Sequence, residues 1–328
     1  MRRLWPLIFF GLFSACSPVY VYKAWRGQAH ILSARRPIEK VLADPATDAK
    51  TRAKLKLVLD LRRYAFETVG IPATGNYSEY AAVDGPAVSW VVSGARRTRL
   101  ESKLWWFPFV GRVPYKGFFD RADAQRETEA LERDGWDAFY GGVTAYSTLR
   151  WFRDPVLSTM LEQPEGALAE VLLHELTHTA IFLKGQADFN EALATYVGET
   201  ACERFLVSKF GADSHELLEY RRGLADQEAR SKALGELYAE LEALYLGPGT
   251  DAEKLEKRRP LFERYEKLLG LKKLNNAVVL AQRRYRHDLS DFKRAHEKAG
   301  DDWRKFLEAM KALDPRRPRE DLKRRLML

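Results

Sequence analysis

A pair of histidines four residues apart, inside an apolar helix-forming stretch, constrains this chain most. His174 and His178 are the first and last residues of the pattern His-Glu-x-x-His. Positions i and i+4 share one face of an α-helix. The two imidazoles can therefore bind one metal ion together. Apolar spacing predicts a helix over residues 165–184, with Pro164 before it and Gly185 after it, as is common at helix boundaries. The pattern favours a metal-binding helix, and the alternative is a structural histidine pair.

Glu175 lies directly beside the first histidine in sequence. It is about 100° further round the helix than His174, so its carboxylate is expected to lie near the ion without coordinating it. That position suits a general base acting on water activated by zinc. The sequence therefore predicts one Zn²⁺ per chain, with His174 and His178 as ligands and Glu175 as the catalytic base.

A hydrolytic zinc site needs a third protein ligand and an open fourth position. Glu191 is the best candidate, since 12 residues separate it from His178 and a second helix is predicted to start near Asp188. The pattern Asp188-x-x-Glu191 also fits a capping box, in which Glu191 would bond the backbone of Asp188 instead. Glu199 and Asp188 are rival ligands.

The N-terminus has the pattern of a targeting segment. Arg2 and Arg3 precede an apolar run over residues 4–15, which is too short to span a bilayer comfortably. Residues 1–15 are therefore predicted to be a secretory signal peptide. Cys16 follows small residues, as in a bacterial lipobox, and this predicts lipid attachment at Cys16. The alternatives are a plain cleaved signal and an uncleaved anchor.

A lipid at Cys16 would make the chain an exported, membrane-anchored lipoprotein that faces the periplasm. Ser17, in place of Asp, favours the outer membrane over the inner one. Two cysteines exclude a disulfide scaffold, and the mean hydropathy of -0.40 excludes a polytopic membrane protein.

The net charge of +8 is concentrated near the C-terminus, where residues 253–328 hold 23 Lys and Arg against 13 Asp and Glu. An exported protein is not expected to bind nucleic acid, so anionic lipid is the better partner for this basic part. Solvated helix faces are the alternative. Residues 311–328 are a basic tail that can be disordered.

The remaining pattern predicts an α+β, mostly helical fold. A single zinc-peptidase domain is expected over residues 16–310. It comprises an N-terminal helical part (23–70), a β region (74–150) and a C-terminal helical part (164–310).

The β region offers candidates for binding a peptide substrate. Gly141 and Gly142 lie on a predicted strand whose edge could bind an extended peptide. Tyr146 could donate its hydroxyl to the developing oxyanion, although a core aromatic is the alternative. Tyr285 is a weaker oxyanion candidate. Glu199 or Glu203 could hold the ammonium group of a substrate N-terminus.

The histidine motif followed by Asn190-Glu191 resembles the gluzincin metallopeptidases, in which a downstream Asn-Glu pair lies on the next helix. The connecting segment is shorter here, and Thr195 stands where thermolysin-like enzymes have Asp. Over about residues 16–310 the chain resembles bacterial predicted-aminopeptidase lipoproteins. That family usually has a cysteine pair where this chain has Trp106 and Arg112, and glycine at Arg150.

The resemblance implies a zincin-like fold with a small mixed β-sheet beside the histidine helix. It also implies aminopeptidase activity on peptides. An envelope endopeptidase and a non-catalytic, zinc-containing scaffold lipoprotein are the alternatives.

Overall fold

The computed structural model describes residues 17–107, 111–145, 153–283 and 288–327. These residues are mostly helical with small sheets, as the α+β prediction requires. The helices are α1 (Pro18–Ser33), α2 (Ile38–Ala43), α3 (Ala49–Tyr64), α4 (Arg121–Arg133), α5 (Ser158–Leu161), α6 (Glu165–Ala180), α7 (Ala187–Phe210), α8 (His215–Leu246), α9 (Asp251–Leu269), α10 (Asn276–Arg283), α11 (Ser290–Lys298), α12 (Trp303–Lys311) and α13 (Pro318–Met327). The strands are β1 (Arg36–Pro37), β2 (Glu79–Ala81), β3 (Ser89–Ala95), β4 (Trp105–Phe107), β5 (Gly111–Val113), β6 (Lys116–Phe118), β7 (Asp137–Val143) and β8 (Val156–Leu157).

The chain divides into two compact units, and a single domain over residues 16–310 stays a prediction. The first unit takes Met1–Ser33, Pro86–Thr144 and Arg230–Arg284, and the second takes Ala34–Gly85, Ala145–Ala229 and Tyr285–Leu328. Each unit collects segments that are distant in sequence, and the apolar pattern along the chain does not reveal such a division. Within the described residues, no helix is both long and apolar enough to cross a membrane.

The first unit is built on an antiparallel sheet with strand order β6-β3-β7. Helix α4 packs on this sheet, and the core between them contains Val92, Ala124 and Leu131. Strands β4 and β5 form a separate antiparallel pair in which Trp106 lies directly opposite Arg112. The two positions at which the family resemblance implies a cysteine pair are therefore cross-strand neighbours.

The second unit contains helices α6 and α7 and a mixed sheet of order β1-β2-β8. Strand β2 pairs antiparallel with β1 and parallel with β8. Helix α6 buries Leu168, Leu172 and Leu176 on the apolar stripe that the sequence predicts. The extensive contact between α6 and α7 forms the centre of this unit.

The basic C-terminal tail is ordered over residues 318–327, where it forms α13 and buries Leu322. The carboxylate of Asp321 accepts hydrogen bonds from the backbone N–H of Asp314 and from Arg324 and Arg325. Apolar burial and local ion pairing thus order a segment whose composition alone allows disorder.

Candidate metal centre

Helix α6 presents the histidine pair near its C-terminal end. Pro164 is the N-cap residue of α6, as the sequence predicts, but the helix ends at Ala180 and not near residue 184. The chain then reverses through a short connection in which Gly185 has a φ of 77°. Only glycine adopts that left-handed conformation at little cost, and it lets the next helix return towards the histidines.

Helix α7 begins at Ala187, and its N-cap residue is Gln186, which makes no side-chain cap hydrogen bond. Asp188 therefore lies inside the first turn, and the alternative capping box between Asp188 and Glu191 does not form. The Glu191 carboxylate instead faces the two histidines of α6.

Three side-chain atoms converge between α6 and α7. The Nε2 atoms of His174 and His178 are 3.2 Å apart. Glu191 Oε2 is 3.4 Å from His174 Nε2, and Glu191 Oε1 is 3.6 Å from His178 Nε2. All three ligand atoms lie within 4.8 Å of one another, so this group could hold a metal ion. Two imidazoles and one carboxylate also form a typical donor set of catalytic zinc sites.

The rival ligands do not join this group. In the described part of the chain, neither Asp188 nor Glu199 belongs to a cluster of metal-binding side chains with His174. Of the three acids considered from the sequence, only Glu191 is grouped with both histidines as a possible metal ligand among the described residues.

Asn190 is a positioning residue whose role the sequence leaves unassigned. Its Oδ1 accepts from the backbone N–H of Leu183 at 2.9 Å, and its Nδ2 donates to the Leu183 carbonyl at 2.8 Å. Asn190 is only 2% exposed. Its amide therefore ties the start of α7 to the connection after α6, next to the ligand Glu191.

Gly198 lets α7 approach α6 closely at the first histidine. A Cβ atom at this position would lie 3.2 Å from the Glu170 carbonyl oxygen and 3.2 Å from His174 Cβ. These distances are tighter than ordinary van der Waals contact. An interior helical glycine was the available sequence signal, since glycine there usually marks close packing.

The two histidines have opposite electrostatic surroundings. Burial alone would lower the pKa of His174, but its hydrogen bond with Glu191 and the charges of Glu175, Glu191 and Glu170 outweigh burial and raise it. Burial and the neighbouring His174 lower the pKa of His178 to about 4, against the effect of Glu191. In the metal-free protein, His174 therefore keeps its proton to a higher pH than His178 does.

A carboxylate pair lies close to His174. Burial raises the pKa of Glu170, and burial together with the charge of Glu170 raises the pKa of Glu199 to about 7. The positive charge of His174 opposes both shifts. One turn separates Glu170 from His174 on α6, but the sequence pattern does not single it out. The negative potential of this pair favours a cation at the histidines.

Tyr77 lies near the predicted base. It is buried and has a left-handed φ of 57°, which is uncommon for a residue other than glycine. Its pKa is raised well above the usual value by burial and by the charges of Glu175 and Asp154. The backbone N–H of Tyr77 donates to the Asp154 carbonyl at 2.7 Å. No motif in the sequence indicates this tyrosine.

The sequence also predicts site residues that are not part of the histidine group. Tyr146, Tyr285 and Cys16 are outside the described residues. Gly141 and Gly142 lie on β7, an edge strand of the sheet in the first unit, whereas the candidate ligands belong to the second unit.

The internal packing of the first unit explains one of these glycines. A Cβ on Gly142 would lie 2.8 Å from Ala87 Cβ. Gly142 is therefore needed by the chain's own packing, and its contact with a peptide remains a prediction.

Comparison with known proteins adds one finding. A family model described as "Putative aminopeptidase" matches residues 19–326, almost the whole chain. The chain belongs to this family. No curated protein and no solved structure matches it. Membership in this aminopeptidase family indicates peptidase activity and makes an enzyme the expected class of protein. It also agrees with the family resemblance that the sequence motifs indicate.

Proposed function

We propose that this chain is a zinc-dependent peptidase of aminopeptidase type with a zincin-like, gluzincin arrangement. His174, His178 and Glu191 would hold the ion, and Glu175 would be the general base. The observation that carries the proposal is the convergence of two imidazole nitrogens and a carboxylate oxygen within 4.8 Å. The aminopeptidase family supports the choice of a peptide substrate.

Zinc in such a site supplies a Lewis acid that polarises the scissile carbonyl and makes water a stronger acid. Glu175 would take the proton of the attacking water and deliver it to the leaving amine. His174 and His178 are held on one face of α6, and Asn190 and Gly198 fix the approach of α7. The ligands are thereby preorganised by the packing of two helices.

A non-catalytic zinc scaffold is the alternative of a different class. It fits less well because a structural site needs no general base, whereas Glu175 follows His174 directly. An endopeptidase would use the same centre and differ in its treatment of the substrate N-terminus.

Neither acid considered for the substrate ammonium is a permanently charged, free carboxylate. Glu203 pairs with Arg221, whose Nε lies 2.7 Å from Glu203 Oε1. The raised pKa of Glu199, about 7, leaves it partly protonated at neutral pH in the metal-free protein. The rates of hydrolysis of substrates with free and with blocked N-termini therefore have to be compared to distinguish an aminopeptidase from an endopeptidase.

The Glu175→Gln variant tests the mechanism. It should retain one zinc per chain and lose at least about a hundredfold in turnover, the typical contribution of a general base. Metal analysis and a panel of fluorogenic peptides with free or acetylated N-termini measure both properties. The matched control is Glu228→Gln, an exposed site in the second unit, which should keep both zinc and activity. Full activity of Glu175→Gln would exclude this mechanism, and a wild type that binds zinc but hydrolyses no peptide would favour the scaffold.

A further inference from the structure

One face of α1 is firmly attached to the first unit. The hydroxyl of Tyr20 donates to the Gly117 carbonyl at 2.9 Å, and its ring packs against Phe118 with centroids 5.6 Å apart. Lys23 Nζ forms an ion pair with Asp123 at 2.7 Å. These contacts fix the rotation of α1 about its own axis and thus determine which side chains point to solvent.

Large apolar side chains on the remaining surface of α1 point to solvent. The exposed fractions are 62% for Val19, 51% for Val21, 58% for Tyr22 and 66% for Trp25. The rings of Tyr22 and Trp25 lie beside each other, with centroids 6.4 Å apart. These four residues form the α1 outer face. Such a grouping is costly in water, because buried apolar surface is worth about 25 cal/mol per Å², and exposed patches of this kind usually mark an interaction site.

The position of the α1 outer face points to what covers it. All four residues lie in the first eight residues of α1, and only Ser17 separates that helix from Cys16. The sequence predicts a lipid on Cys16. A lipid there would hold this end of α1 at a bilayer surface, so the exposed residues are those nearest the expected membrane.

The chemistry of the face fits the same surface. Trp and Tyr prefer the membrane–water interface because their rings are apolar with one polar group. Arg26 follows Trp25 directly, is exposed, and has no carboxylate partner in the parts of the chain that the structure describes. A cation at this place can attract anionic headgroups at the level where the aromatic rings insert.

We propose that the α1 outer face lies in the headgroup region of a lipid bilayer and orients the first unit on the membrane. This surface differs from the basic C-terminal part that the sequence predicts as the lipid contact. Part of that positive charge is neutralised locally, because Arg324 and Arg325 both pair with Asp321. The proposal is independent of zinc and of peptidase activity.

Quenching of tryptophan fluorescence by brominated lipid tests the proposal on the lipidated chain that begins at Cys16 and therefore lacks Trp5. The protein is reconstituted in vesicles of phosphatidylcholine and phosphatidylglycerol, with or without bromine on the acyl chains. Wild type should show a quenched component, and Trp25→Phe should lose most of it. Trp25 is exposed, so this variant should fold normally. The control Trp303→Phe removes a buried tryptophan of the second unit and should leave the quenched component unchanged.

Equal quenching of wild type and Trp25→Phe would overturn the proposal, because Trp25 would then lie outside the lipid. A second copy of the chain is the competing occupant. In that case the detergent-solubilised protein would be a dimer that dissociates in the Tyr22→Ser/Trp25→Ser double variant. The membrane proposal is supported if quenching is lost in Trp25→Phe and the α1 outer face does not hold a dimer together. The second condition is met if the protein is a monomer, or if its dimer persists in the double variant.

Discussion

The side chain of Asn190 bonds both backbone groups of Leu183, accepting from its N–H at 2.9 Å and donating to its carbonyl at 2.8 Å. Leu183 lies in the connection that follows α6, and Asn190 precedes the ligand Glu191 in α7. One buried amide therefore sets the path of the chain between His178 and Glu191. The Asn-Glu pair thus combines two features, because Asn190 positions the backbone and Glu191 is the candidate metal ligand.

Replacing Asn190 by alanine should loosen the centre. Asn190→Ala removes both hydrogen bonds and leaves the Leu183 backbone groups without these partners, so we expect a loss of about 1–3 kcal/mol in unfolding free energy. Zinc affinity should fall about 10–100-fold, as is typical when a residue supporting metal ligands is lost. Competition with a zinc chelator and denaturant unfolding measure the two effects. Asn190→Asp keeps the acceptor for the Leu183 N–H and should lie between wild type and alanine. Wild-type zinc affinity in Asn190→Ala would contradict the positioning role.

Gly198→Ala should separate α6 from α7. The added methyl group would lie 3.2 Å from both the Glu170 carbonyl oxygen and His174 Cβ. Relieving that contact by a backbone shift should cost about 1–3 kcal/mol and move Glu191 away from the histidines. Thermal unfolding and zinc titration measure the outcome.

Gly223→Ala is the matched control, because Gly223 is also helical but has open space around its Cβ position. Alanine there should stabilise the protein by about 0.5–1 kcal/mol through helix propensity. If Gly198→Ala behaves like this control, close packing at His174 is not what requires the glycine.

The helix pair and the grouping of His174, His178 and Glu191 could be predicted because they depend on local spacing. The i, i+4 histidines, the glycine after α6 and the acid in the next helix lie within 18 residues, and helical geometry determines their relation. The helical and β parts around them were predictable in outline, but β1 (Arg36–Pro37) lies inside the part predicted as helical and β8 (Val156–Leu157) follows the predicted β region. Helix α6 nonetheless ends four residues earlier than its apolar pattern indicates, because the chain leaves the helix at Ile181 to make the reversal.

Long-range relations could not be read from the sequence. Glu170, Glu199 and Tyr77 acquire their shifted pKa values only because the fold buries them near other charges. The two-unit division likewise depends on which distant segments pack together. The pattern Asp188-x-x-Glu191 fits a capping box. Helix α7 nonetheless starts at Ala187, so Asp188 is not the N-cap residue and Glu191 does not cap the helix.

Zinc binding should release a proton at mildly acidic pH. The pKa of His174 is raised above its usual 6.5, whereas that of His178 is lowered to about 4. Only neutral imidazole binds the ion, so zinc must displace the proton of His174. Affinity should therefore rise with pH up to the pKa of His174 and then level off.

Calorimetry at pH 6 in two buffers of different ionisation enthalpy should detect about one proton released from His174 per zinc bound. Glu175→Gln removes one of the charges that raise the pKa of His174, so its affinity should level off at lower pH. Proton release that is absent at pH 6 would show that His174 is already neutral there.

Glu199→Gln should change how the stability of the metal-free protein depends on pH. Burial and Glu170 raise the pKa of Glu199 from 4.5 to about 7, so the folded state binds this proton more tightly than the unfolded chain. The stabilising effect of the proton is complete below about pH 4.5 and disappears as pH rises through 7.

The wild type should lose at most about 3 kcal/mol over that interval from this group, and the two acids should titrate as a pair. Glutamine stays neutral, so the variant should show a flatter profile and exceed the wild type in stability at pH 8. Denaturant unfolding at pH 5 and pH 8, in the presence of a chelator, measures the difference. The exposed Glu228→Gln should follow the wild-type profile. Parallel profiles for wild type and Glu199→Gln would mean that Glu199 is hydrated well enough to ionise normally, and the negative potential beside His174 would then have to come from Glu170 and Glu175.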